Sequence, residues 1–176
     1  FFDDVRVPVA NRVGEENRGW TYAKFLLSNE RVLIAEVGKL KRLYAQLRRM
    51  AAETYEGGAP LLRDGDFSRK MIQISLGIRV LEAMCMRQLG AGTADAPPGP
   101  EASVLKIRGS ELMQSITHLM VEVQGRRGLP YQIEALAPNW NEEEIGAAGA
   151  TGMMREFLFG RAATIYGGSN EIQRNI

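Results

Sequence analysis

The sequence predicts an all-α protein: an antiparallel four-helix bundle with a single strand in front of it. Three observations carry that expectation. Apolar residues recur at three- and four-residue spacing over long stretches, Gly- and Pro-rich breaks of modest length divide those stretches, and period-two alternation does not extend beyond residue 7.

Phe2 to Val7 alternates apolar and polar and stops at Pro8, which reads as a strand whose partners lie outside these residues, since one strand is not stable alone. Helical spacing then runs from Trp20 to about Tyr55, where Gly57-Gly58 and Pro60 end it. At 1.5 Å per residue this predicts a rod on the order of 50 Å. A second helix, about Phe67 to Leu89, is apolar on nearly all sides (Met71, Ile72, Ile74, Leu76, Ile78, Val80) and is expected to lie buried between neighbours. Gly90 to Pro100 is a loop. The third helix, about Glu101 to Gln124, carries Leu105, Leu112, Ile116, Leu119 and Val123 on one stripe. Tyr131 to Gly152 reads as a long ordered loop, a length that is usually functional. A fourth helix, about Met153 to Ile165, presents Met154, Phe157, Leu158 and Arg161. Gly167-Gly168 stops it, and Ser169-Asn170 caps a last helix, Glu171 to Ile176, whose N-terminus suits an anion or an oxygen acceptor.

Composition removes several functions. With 22 basic and 21 acidic residues, net charge +1, the chain offers no general field for nucleic acid or a membrane surface. The basic stretch Lys39, Lys41, Arg42, Arg48 and Arg49 has no interleaved aromatics and reads as a solvated face. One cysteine, Cys85, cannot close an internal disulfide and suits a reducing compartment. No apolar run reaches the roughly 18 residues of a membrane helix, and the expected location is cytoplasmic. His118 has no second histidine or cysteine at ligand spacing, so no metal site is expected. The chain is 176 residues long, begins on Phe1 and stops inside a helical pattern, and so reads as a piece of something longer.

One carboxylate stands apart. Glu30 lies in the middle of an apolar stripe formed by Leu26, Leu27, Leu33 and Ile34. Such a glutamate is paired with a cation, exposed at a break in packing, or kept as a base with a raised pKa by desolvation. Spacing alone does not choose among the three.

Three segments narrow the choice: Phe2-Asp-Asp-Val-Arg-Val-Pro8, Gly14-Glu-Glu-Asn-Arg-Gly-Trp20 and Ile165-Tyr-Gly-Gly-Ser-Asn-Glu-Ile-Gln-Arg174. In order and separation they resemble the C-terminal half of flavin-dependent acyl-CoA dehydrogenases. The resemblance implies that residues 1–8 end the family's middle β-domain and that residues 9–176 are its C-terminal helical-bundle domain. It implies FAD as cofactor, an acyl-CoA substrate desaturated to a 2-enoyl-CoA, and an electron-transfer flavoprotein as the partner that takes the electrons.

In most of the family the catalytic base follows the tyrosine of a Tyr-Glu-Gly-Thr segment. Here Tyr166 is followed by Gly167. Isovaleryl- and long-chain-type members place the base on the first helix of this domain directly before an arginine, and Glu30-Arg31 matches that arrangement. The resemblance thus implies Glu30 as general base, the Gly167 backbone N–H as a donor to the thioester carbonyl, and Leu27 and Arg31 on the substrate side. Ser169, Glu171 and Gly125 are implied as FAD contacts, Gly125 through a turn that approaches a neighbouring subunit's flavin. That turn carries Arg126 where the family has a glycine, and the family's Arg-x-Gln-Phe motif is not recognisable between Tyr55 and Phe67. The overall pattern is similar to the larger subunits of two-gene α2β2 bacterial members, such as those proposed for pimeloyl-CoA and steroid side-chain thioesters, and a homo- or hetero-oligomeric dimer of dimers is expected. The alternatives are a catalytically silent helical scaffold subunit, or a flavin oxidase or monooxygenase on the same fold.

Overall fold

The computed structural model describes the backbone of residues 1–33, 35–91 and 99–176, and the side chains of these except 27–33 and 91. Six α-helices are seen among them: α1 (Gly19–Leu33), α2 (Val37–Glu53), α3 (Gly65–Ala91), α4 (Glu101–Gln124), α5 (Ala150–Gly160) and α6 (Asn170–Arg174). The helix α4 runs through the middle and touches the other five. Its neighbours α3 and α5 are antiparallel to it. Lys70 meets Glu122 at 3.0 Å while Gly77 packs on Leu112, and Gln114 reaches the Gly160 carbonyl at 3.0 Å while Gly128 faces Met153.

The core follows helical spacing. Leu40, Leu43, Leu47 and Ala51 from α2 meet Met71, Ile74, Ile78 and Leu81 from α3 and the expected stripe of α4, Leu105, Leu112, Ile116, Leu119 and Val123, all of it buried. Among the described residues, no helix is long and apolar enough to cross a membrane.

Three expectations need correction. The single rod from Trp20 to Tyr55 is two helices, α1 and α2. Between them Glu36 takes a left-handed conformation, φ 43°, and Ala35 is buried against α4. The nearby glycine, Gly38, lies inside α2; Ala35 seats on Gly109 of α4 at the break, and apolar periodicity runs straight across it. Second, only one face of α3 is buried. Ile72, Leu76 and Val80 are exposed, because the described chain covers that helix from one side. Third, α5 starts at Ala150 and closes at Gly160 into a 3-10 turn, Arg161–Thr164, where Gln114 takes up the freed Gly160 carbonyl. Residues 1–8, expected to pair with strands outside this chain, are exposed and make no ladder within it.

Gly57-Gly58 does more than stop α2. Both residues have positive φ, 58° and 86°, and they join two short antiparallel strands, β1 (Tyr55–Glu56) and β2 (Ala59–Pro60), as a two-residue hairpin turn demands. The expected long loop at 131–152 is tied down. The Ala147 N–H donates to the Arg127 carbonyl at 2.8 Å, and the Ile145 N–H donates to Gln132 Oε1 at 3.2 Å. Of the expected loop at Gly90–Pro100, residues 92–98 lie outside the described residues.

Candidate functional site

The chain's C-terminal turn is built from glycines outward. Gly167 and Gly168 take φ 67° and 83°, a region that side chains with a Cβ rarely adopt. A Cβ on Gly168 would also collide with the Gln173 amide nitrogen, which donates to the Gly167 carbonyl at 3.0 Å. Ser169 then starts α6 as predicted: its hydroxyl oxygen accepts the Ile172 N–H at 3.4 Å. The helix it starts is one turn, five residues, so it has little dipole of its own to offer an anion. Glu171 is exposed. Its own backbone N–H, the Ser169 hydroxyl and the neighbouring Arg174 and Lys106 charges hold its carboxyl below the usual range.

Beneath the turn sits a polar cluster that sequence reasoning missed. Lys106, on α4, is fully buried, and its Nζ donates to Asn170 Oδ1 at 2.8 Å. Asn170 in turn donates from Nδ2 to Ser110 Oγ at 3.2 Å. Burial lowers the Lys106 pKa from 10.5, and the Glu171 charge opposes that shift. On the outer side Arg174 closes on Glu111 at 3.2 Å. The signal was present: Lys106, Gly109 and Ser110 interrupt the apolar stripe of α4 at i, i+3 and i+4, one face within one turn.

That same turn of α4 also receives the α1–α2 junction. A Cβ on Gly109 would lie 2.9 Å from Ala35 Cα, so the glycine is what lets the junction approach. One turn of α4 therefore carries both the α1–α2 junction, at Gly109, and the Gly167–Asn170 segment, at Lys106 and Ser110. Glu30 and Arg31 belong to α1, as does Leu27, and the side chains of all three lie outside the described residues. Upstream on α1, Trp20, Phe25 and Leu26 are exposed. Gly125 ends α4 with φ 55° and ψ −140°, and a Cβ there would meet nothing within 4 Å. His118 pairs with Glu122 at 3.3 Å on the surface. Beside the C-terminal turn, Phe159 and Tyr166 pack with ring centroids 6.3 Å apart. Phe159 also borders a hollow of about 520 Å³ that Lys39, Tyr131 and Arg155 help to line.

Residues 17–176 match the family model described as acyl-CoA dehydrogenase, C-terminal domain. The chain belongs to the acyl-CoA dehydrogenase family. Among its relatives, the acyl-CoA dehydrogenase FadE26 of Mycobacterium tuberculosis is 30% identical over 184 residues, covering 100% of this chain and 42% of its own length. The acyl-CoA dehydrogenase IpdE1 of Mycolicibacterium smegmatis is 30% identical over 178 residues, covering 100% of this chain and 39% of its own. Among solved structures, the ChsE4-ChsE5 complex from Mycobacterium tuberculosis superposes with a TM-score of 0.73 at 28% identity, over 99% of this chain and 43% of that one. The chain thus spans about two fifths of the length of the acyl-CoA dehydrogenases it matches.

Proposed function

We propose that this chain is the C-terminal part of a flavin-dependent acyl-CoA dehydrogenase in which Glu30 removes the α-proton of an acyl-CoA. What supports the reading is the double attachment on α4. Lys106 and Ser110 fix Asn170, and Gly109 admits Ala35, so one rigid turn holds the α1–α2 junction and the Gly167 segment. The resemblance assigns the carbonyl donor to the second of these segments and the base to α1, the helix that ends just before the first.

The residues present suit FAD. Two glycines with positive φ leave the backbone open at the turn, the Ser169 hydroxyl and the exposed Glu171 carboxylate offer a donor and an acceptor, and Gly125 leaves open space at the end of α4. When bound, FAD supplies the hydride acceptor for the substrate's β-hydrogen. Gly167 donates its backbone N–H to the thioester carbonyl, where negative charge develops as the α-proton leaves, and so acidifies that proton. Glu30 takes it, and the resemblance puts Arg31 and Leu27, on the same helix, on the substrate side. Replacing the usual glutamate by Gly167 removes a side chain and leaves the backbone donor in place.

In this reading residues 1–8 close the flavin-binding β-domain and residues 9–176 form the helical domain. The partners are an electron-transfer flavoprotein and a second subunit, arranged as a dimer of dimers in the cytoplasm. The relative solved as the ChsE4-ChsE5 complex supports assembly with a different subunit.

The test is Glu30→Gln in the full-length protein, mixed with acyl-CoA while flavin absorbance is followed. Bleaching should slow by roughly 10²–10⁴-fold with FAD affinity unchanged. Bleaching at the wild-type rate removes Glu30 from the mechanism. The substitution of Gly167 for a side-chain base is the observation that favours a silent scaffold instead. Stoichiometric FAD in the wild-type full-length protein decides against the scaffold, and its absence decides for it.

A further inference from the structure

Lys106 is the largest fully buried side chain among the described residues, and the mechanism above gives it no task. Burying an ammonium costs several kcal/mol unless it is well paired. A leucine or methionine would fill the same space between α4 and α6 without that cost. What the lysine adds is a bond: Nζ to Asn170 Oδ1 at 2.8 Å, which among the described residues is the acceptor it reaches. Asn170 is itself buried and is the first residue of α6. Five residues of helix have no stability of their own, because nucleation is paid for by too few backbone bonds. The segment from Gly167 to Glu171 is therefore held by its side-chain attachments: Asn170 to Lys106 and Ser110 within, Arg174 to Glu111 outside, and Gln173 back to the Gly167 carbonyl.

We propose that Lys106 is a positioning residue for the flavin-side turn. Its ammonium grips Asn170 from the bundle interior and thereby fixes the backbone that presents the Gly167 N–H, Ser169 and Glu171. This rests on the proposed function for the statement that the turn faces FAD, and on geometry alone for the statement that Lys106 orders the turn.

The two parts are separable by experiment in the full-length protein. Amide hydrogen exchange of peptides spanning 165–174 reports the order of the turn, with peptides from α2 and α3 as internal controls, and flavin fluorescence titration gives the FAD Kd. Lys106→Met should speed exchange in 165–174 by tenfold or more and raise the Kd by tenfold or more, leaving the α2 and α3 peptides unchanged. Lys106→Gln keeps a donor without the charge and should recover most of both. A methionine variant within twofold of wild type on exchange overturns the proposal, as does a glutamine variant as loose as the methionine one.

If Lys106→Met fails to fold, the pair Asn170→Ala and Asn170→Asp approaches the bond from the other side. The aspartate still accepts from the ammonium and should keep the turn ordered, whereas the alanine should loosen it. Equal behaviour of that pair overturns the proposal. A wild-type protein that binds no FAD defeats the flavin reading while leaving the exchange result to decide the role of Lys106.

Discussion

Gly109 on α4 stands so close to Ala35 that a Cβ on the glycine would lie 2.9 Å from the Ala35 Cα and 3.0 Å from its carbonyl oxygen. Both atoms are backbone, so nothing short of moving a helix relieves the overlap. Ordinarily an alanine in place of a helical glycine gains about 1 kcal/mol. Here overpacking costs about 1–3 kcal/mol. Gly109→Ala should lower stability by about 1 kcal/mol and the melting temperature by about 2–4 °C, and Gly109→Val should lower both further, as measured by thermal unfolding.

The two faces of α3 should respond unequally. Ile74 is buried in the core and Ile72, two residues earlier, is exposed. Truncating Ile74 to alanine should cost about 2–4 kcal/mol through lost burial and a cavity. Ile72→Ala should stay within about 0.5 kcal/mol. Urea denaturation of the two variants checks the contrast, and equal losses would mean that the exposed face is covered in solution.

Gly168 combines a φ of 83° with a Cβ path blocked by Gln173. Gly168→Ala should strain the turn by about 1–2 kcal/mol and break the 3.0 Å bond from Gln173 to the Gly167 carbonyl. Faster amide exchange in the last dozen residues, with the core unaffected, is the expected result.

Two titrations should appear at opposite ends of the pH scale. The Lys106 pKa is lowered in the fold by burial. Between that value and the unfolded 10.5, the unfolded chain holds more protons, so stability rises with pH. The wild type should therefore gain on Lys106→Met as pH is raised toward 10.5. Glu171 is lowered as well, by hydrogen bonds from its own backbone N–H and from Ser169. Its contribution is present above the ordinary 4.5 and is lost as pH falls through the lowered folded value. Glu171→Gln should flatten that acid limb. Denaturant midpoints measured across pH check both signs.

The helices were legible where the determinants are local. α4 was bounded at both ends by Pro100 and Gly125, and its apolar stripe is buried as read. The Ser169 cap was equally plain, because capping is decided within four residues. The α1–α2 break was not legible: Glu36 turns left-handed to seat Ala35 on Gly109, a contact 74 residues away in sequence. The exposed face of α3 escaped for a related reason, since an apolar surface in sequence does not say what covers it. At the candidate site the glycine turn and Ser169 could be read from the motif. The bond between Lys106 and Asn170 could not, because the polar spot on α4 gains its meaning only when a turn 64 residues away is brought onto it.

A consequence follows for how this domain tolerates length changes. The loop at 131–149 joins the end of α4 to α5, and additional residues there disturb its local ties to Arg127, Gln132 and Thr151. Adding a single residue to α4 between Lys106 and Gln114 would swing everything beyond it through about 100°, and the grip on Asn170, the seat for Ala35 and the hold on Gly160 would no longer share a register. The three holds made by Lys106, Gly109 and Gln114 thus make one helix the ruler of the whole domain.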